Sequence, residues 1–116
     1  MKKILVFSGS RADYGLLKGL IKKLKQDKSY KISIVAGPPH SSKKYGNTYK
    51  EILKDFKIDL KIKSKISNTS STEISKQIID TLSELSVYFK KSKFDLAILL
   101  GDRYEAFAFA TACFFF

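Results

Sequence analysis

Apolar positions in this chain recur with two different periods, and the two alternate. Short apolar runs bounded by turn residues occur at Lys2 to Ser8, Tyr30 to Ala36 and Leu96 to Leu100. Such runs predict strands of a parallel sheet, and the unbroken Leu96 to Leu100 reads as a strand buried on both faces. Between them the spacing changes to that of a helix. Leu16, Leu17, Leu20, Ile21 and Leu24 predict an amphipathic helix over Tyr14 to Gln26, with Asp13 as its amino-terminal cap. Thr48 to Asp55 reads as a short helix and Ile58 to Ile62 as a third strand. Ser70 followed by Glu73 has the form of a capping box. Ile74, Ile78, Leu82, Leu85 and Phe89 then hold one face of a long helix reaching about Lys91, and a last helix starts near Tyr104. Strand and helix alternating four times predicts a single α/β layer structure. With right-handed crossovers it is half of a doubly wound parallel sheet ordered 3-2-1-4.

That topology decides where chemistry can sit. The loops Gly9 to Asp13, Gly37 to Asn47 and Gly101 to Glu105 should gather at the carboxyl edge of the sheet, the edge at which open α/β sheets bind ligands. The stretch Phe94 to Phe107, FDLAILLGDRYEAF, organises the reading, because it delivers Asp102 and Arg103 to a strand end. A carboxylate and a guanidinium there are costly unless something polar is held. In the first loop, backbone N–H groups of Gly9 and Ser10 at a helix amino terminus, with Arg11 beside them, resemble a phosphate-binding turn. The loop is not a dinucleotide fingerprint: GSRADYG breaks the glycine pattern, and the second strand ends in Ala36-Gly37-Pro38 without an acidic residue to grip a ribose. This argues against nicotinamide chemistry. His40, the one histidine, is flanked by Pro39 and is a candidate because it faces the same crevice. Asp102 could instead cap the last helix, but Arg103 and Glu105 crowd charge into its turn, which favours a functional role. Tyr14, Tyr45 and Tyr49 read as packing residues with solvated hydroxyls, and Cys113 as a small core residue in an apolar helix.

Composition changes this picture little. The 116 residues make one domain at most, and 44% hydrophobic residues can build a core despite a net charge of +11. The excess charge is lysine scattered over helix faces and strand edges, with little arginine and no nucleic-acid motif. A solvated surface is favoured over a polyanion site. One cysteine allows no intramolecular disulfide and gives no metal spacing. No cofactor is called for. The apolar run Ile4 to Phe7 is too short for a secretion signal, and no segment approaches the roughly 20 apolar residues that cross a bilayer, so a cytoplasmic protein without a membrane partner is expected.

Three motifs, SGSRADYG at residues 8 to 15 with the preceding strand, KYGNTYKEI at 44 to 52 and LGDRYEA at 100 to 106, closely resemble the hydrolysing UDP-N-acetylglucosamine 2-epimerases of sialic and legionaminic acid biosynthesis. The resemblance spans the chain in the right order. It implies a Rossmann-like parallel sheet forming the incomplete amino-terminal half of a GT-B-type fold, in which two domains enclose the active site. It also implies a reaction in which UDP is eliminated across C1 and C2 of UDP-GlcNAc or a UDP-diacetamido-trideoxy sugar, and water is added with inversion at C2. By resemblance Arg11 is the basic residue near the diphosphate, with Gly9, Ser10 and Arg103 as further substrate-binding residues. Asp102 is the acid of the proton transfers, and His40 matches a histidine of the second loop, although Pro39 departs from the usual pattern. The family continues into a second, nucleotide-holding domain, so the chain reads as an amino-terminal fragment, inactive alone, whose closing Phe114-Phe115-Phe116 would lie exposed. Self-association is expected, if at all, of a full-length protein. Two other readings stay open: the acceptor domain of a GT-B glycosyltransferase, and a non-enzymatic basic binding module.

Overall fold

In the computed structural model, residues 1–38, 49–64, 70–101 and 103–116 are described. His40, Tyr45, Thr48 and Asp102 therefore lie outside the described residues. Among the described residues four strands, β1 (Lys2–Ser8), β2 (Tyr30–Ala36), β3 (Leu60–Lys61) and β4 (Leu96–Leu99), alternate with four helices, α1 (Arg11–Gln26), α2 (Tyr49–Asp55), α3 (Ser71–Lys91) and α4 (Tyr104–Phe115). The sheet is parallel and ordered β3-β2-β1-β4, as the sequence pattern predicts.

Alternation along β1 builds a core on each face. Leu5 and Phe7 point to one side, with Val35 of β2, Leu85 and Phe89 of α3 and Ala106, Phe109 and Ala112 of α4. Ile4 and Val6 point to the other, with Ile34, with Tyr14, Leu17 and Ile21 of α1, and with Ile52 of α2. The Phe7 and Phe109 rings stack at 4.6 Å between centroids, both fully buried.

Several sequence expectations need correction. Helix α1 starts at Arg11, and its cap is Ser10, whose Oγ accepts from the backbone N–H of Asp13 (3.3 Å). Asp13 instead stands at the third helical position and reaches back past the cap, its Oδ2 accepting from the Gly9 N–H at 3.1 Å. The buried stripe of α1 is Tyr14, Leu17 and Ile21, while Leu16 and Leu20 are exposed. A stripe at spacings of three and four leaves residues 16 and 20 about one residue's turn, roughly 100°, off the core. In α3 the buried stripe is Gln77, Thr81, Leu85 and Phe89, rotated one position from the expected one, so Ile74, Ile78 and Leu82 are only partly buried. Apolarity misled here because Thr81 Oγ1 meets Ser64 Oγ at 3.1 Å, satisfying a hydroxyl on the inward face. The expected Ser70 cap is present, accepting from the Glu73 N–H at 3.2 Å.

β3 is two residues long, although Asp59 and Ile62 still donate backbone N–H groups to Ile34 and Ala36 of β2 (both 2.9 Å). β4 is not buried on both faces: Leu96 is 54% exposed and the rest of the strand is half-buried. Among the described residues it has a neighbour on one side only, which leaves its other edge uncovered by a strand. The exposed rings Phe107, Phe114, Phe115 and Phe116 lie on α4 and just after it.

Candidate functional site

The strand order reverses beside β1. The chain winds outward through β2 and β3, then returns to place β4 against the other side of β1, with Phe7 level with Leu99 and Ser8 level with Ala36. A crevice opens where successive crossovers diverge in this way. The segments carrying Gly9-Ser10-Arg11, Gly37-Pro38 and Gly101 leave the sheet at that edge, so topology brings the first and last motifs to a common rim.

The floor of the rim is tight. The Gly37 N–H donates to the Ser8 carbonyl (2.8 Å). A Cβ on Gly37 would come within 2.9 Å of Phe7 Cζ and 3.2 Å of Gly9 Cα, so this close approach of two loops needs the missing side chain.

The first turn differs from the expected anion cradle. The Gly9 N–H is taken by Asp13 Oδ2 at 3.1 Å, so a carboxylate of the chain itself already sits on a donor that was read as open. Ser10 Oγ serves as the helix cap. Arg11 stands beside these two at the rim. It begins α1, its side chain is 72% exposed, and its Nε lies 3.3 Å from Glu51 Oε1 of α2. Its charge adds to the positive end of the helix dipole.

Arg103 has a structural task. It stands at the cap position of α4 without giving it a side-chain cap, and its Nε and Nη2 donate to both oxygens of Glu105 (2.8 and 3.0 Å). Glu105 is 1% exposed. The two charges that crowd this turn in the sequence therefore neutralise each other, with the guanidinium also lying 5.4 Å from the Tyr104 ring centre. The charge-crowding argument for Asp102 loses its force, and Asp102, like His40, is beyond the described residues.

A second polar cluster, which the sequence reading missed, ties α1 to α2. Tyr14 is buried, and its hydroxyl donates to Asp55 Oδ2 at 2.6 Å, rather than to water. Lys18 Nζ lies 3.2 Å from the same oxygen. Burial, then the Asp55 bond, push the Tyr14 phenol well above the ordinary tyrosine range. The Tyr14 bond, then Lys18, hold the Asp55 carboxyl below its usual value. Arg11, Tyr14 and Lys18 fall on one face of α1 and Glu51 and Asp55 on one face of α2, complementary charge at helical spacing that the sequence did offer. A depressed carboxyl pKa stabilises the fold above the unfolded value near 3.8 and stops doing so as the pH falls through the folded value. The stability gap between the native chain and Tyr14→Phe, measured by urea unfolding, is thus expected to be widest near pH 7 and to shrink below pH ~4. A gap that stays constant with pH would assign the loss to something other than the Asp55 bond.

Tyr49 is half-buried with the Lys61 ammonium 4.1 Å from its ring centre, a packing role. Cys113 is partly buried, and desolvation raises its thiol to about 11, which suits an inert core residue. The Gln77 amide is buried without a hydrogen-bond partner. Among the described residues no group of acidic, histidine and cysteine side chains could hold a metal, and no helix is long and apolar enough to cross a membrane.

Comparison with known proteins puts this chain in a family. The family model described as UDP-N-acetylglucosamine 2-epimerase matches residues 22–116. The hydrolysing GDP/UDP-N,N'-diacetylbacillosamine 2-epimerase of Campylobacter jejuni is 37% identical over 112 residues, covering 97% of this chain and 29% of that protein. The hydrolysing UDP-N,N'-diacetylbacillosamine 2-epimerase of Legionella pneumophila is 35% identical over 113 residues, covering 97% and 30%. The fold superposes on a UDP-GlcNAc 2-epimerase from Neisseria meningitidis bound to UDP-GlcNAc with a TM-score of 0.78 at 20% identity, covering 99% of this chain and 30% of that one. The chain thus spans about 30% of the length of the relatives it matches. Its α/β parallel sheet corresponds to part of their GT-B-like structure. With the family model covering most of its length, this chain belongs to the UDP-N-acetylglucosamine 2-epimerase family.

Proposed function

We propose that the chain is the amino-terminal Rossmann-like unit of a hydrolysing UDP-sugar 2-epimerase, acting on UDP-GlcNAc or a UDP-diacetamido-trideoxy sugar in nonulosonic acid biosynthesis. The observation that carries this reading is the pairing of β4 with β1, which sets the ends of the strands bearing the RADYG and GDRYE motifs side by side at the switch point. The two bacillosamine-sugar relatives favour the diacetamido substrate.

In the reaction, the C1–O bond to UDP breaks as the C2 proton leaves, giving a glycal. Water then adds, its hydroxyl to C1 and a proton to the opposite face of C2. Negative charge grows on the departing diphosphate, and Arg11 at the positive end of α1 is suited to receive it. Glu51 holds the guanidinium on the rim before substrate arrives and would share or yield it afterwards. Asp102 is assigned the proton transfers, and His40 is the second residue assigned to the catalysis. Ser10, Gly9 and Arg103 shape the rim through the contacts already described.

On this reading the chain alone releases no UDP from UDP-GlcNAc, because the second domain of the enzyme supplies much of the nucleotide pocket. Co-expression with the part of the Campylobacter relative that this chain does not cover is expected to restore release of UDP together with the free, C2-inverted sugar. Asp102→Asn in that assembly should lower the rate by about 100-fold or more. Sugar transfer to an acceptor with C2 unchanged would mark a glycosyltransferase domain, and restored turnover indifferent to Asp102→Asn would remove the assigned acid.

A further inference from the structure

The opposite, amino-terminal edge of the sheet has a hollow that the proposed reaction does not use. Lys3 and Lys31 are direct cross-strand partners there. They share the parity of Leu5 and Phe7, hence the face covered by α3. Lys91, at the end of α3, and Lys93 line the same hollow, with Tyr88 and Phe94 as its aromatic wall, their rings stacked at 5.8 Å. Like charges directly opposite on neighbouring strands repel, and two more ammonium groups on the facing wall add to that repulsion.

The chain offsets it only in part, with two carboxylates against four ammonium groups. Asp59 lines the hollow, but its Oδ2 accepts from the Ile34 N–H at 2.8 Å. Asp95, next to it, accepts from the Lys3 backbone N–H at 2.8 Å. Among the described residues none of the four lysines is ion-paired: the three pairs present involve Arg11, Lys18 and Arg103. Lys93 is the one held by another contact, 5.8 Å from the ring centre of Phe116. The carboxyl end of α3 accounts for Lys91 through the helix dipole, but not for the Lys3–Lys31 pair.

We propose that this hollow binds a small molecule carrying a diphosphate. The four ammonium groups take the phosphates and the Tyr88–Phe94 wall offers a flat apolar surface to a ring attached to them. An extended polyanion such as RNA would use the lysines of α1 (Lys18, Lys22, Lys25) as well, whereas a small ligand stays within this concavity. The proposal is independent of the epimerase reading, whose residues lie at the other end of the strands.

The test is a titration of the intact chain with inorganic pyrophosphate, then with UDP, at low salt, followed residue by residue in amide NMR spectra. Pyrophosphate is expected to shift Lys3, Lys31, Ser33, Lys91 and Lys93, and UDP to add shifts at Tyr88 and Phe94. The double variant Lys31→Gln, Lys91→Gln should bind pyrophosphate at these residues about tenfold more weakly, from the loss of two exposed charge contacts. Both side chains being exposed, the variant should fold, and without ligand it should melt no lower than the native chain, since repulsion is relieved. Absence of binding, shifts spread equally along α1, tighter binding of generic RNA across both lysine groups, or unchanged affinity in the double variant would each overturn the proposal.

Discussion

Phe109→Ala should cost the chain about 3–5 kcal/mol, the usual range for emptying a buried aromatic site. Small domains carry roughly 5–15 kcal/mol in total, so most of the stability goes with one ring. The reason is position: Phe109 stacks on Phe7 in the central strand and meets Phe89 edge-on at 6.3 Å, so a single cavity would open between sheet, α3 and α4 at once. Phe107 on the same helix is the internal control. It is 64% exposed, and Phe107→Ala should change stability by no more than about 0.5 kcal/mol. Circular dichroism during urea unfolding measures both. Equal losses for the two variants would mean that the core is not centred on the Phe7–Phe109 stack.

Arg103→Ala should be the next most damaging, by about 3 kcal/mol, because it strands the Glu105 carboxylate inside the protein. The lower end of the range for broken buried pairs applies, since the guanidinium is itself 39% exposed and water can partly replace it. Glu105→Gln alone should cost less, as a neutral amide is cheaper to bury. In the double variant the losses should not add, and the shortfall measures the pair. Arg103→Lys should recover only part, because an ammonium cannot bond both carboxylate oxygens in parallel. Additive losses would show that each side chain acts on its own.

Strands β1 and β2, the long α3 with its Ser70 cap, and the sheet order could all be read from the sequence, because apolar runs bounded by turns and a 3.6-residue spacing held over many positions are hard to mistake, and right-handed crossovers then order the strands. Short elements and inward polar residues were harder. Periodicity treats Gln77 and Thr81 as outward residues, while the structure turns them in, one to a hydroxyl of Ser64. Side-chain pairing decided the site. Asp13 reads as a cap and closes on Gly9 instead, and Arg103 reads as a ligand group and closes on Glu105. In both cases a neighbour two to four residues away competes with any ligand for the same donors, and a motif states residue types without saying which of them are already engaged.

The outermost position of β4 leaves one of its edges open to solvent. Asp95 sends its N–H inward to the Lys3 carbonyl, so by strand alternation the amides of Leu96 and Ile98 face away from the sheet. Solvent deuterium can reach those two without any unfolding, whereas β1, flanked by strands on both sides, exchanges only when the whole sheet comes apart. The GDRYE motif therefore hangs from a strand paired on one side only, and the RADYG motif from one paired on both.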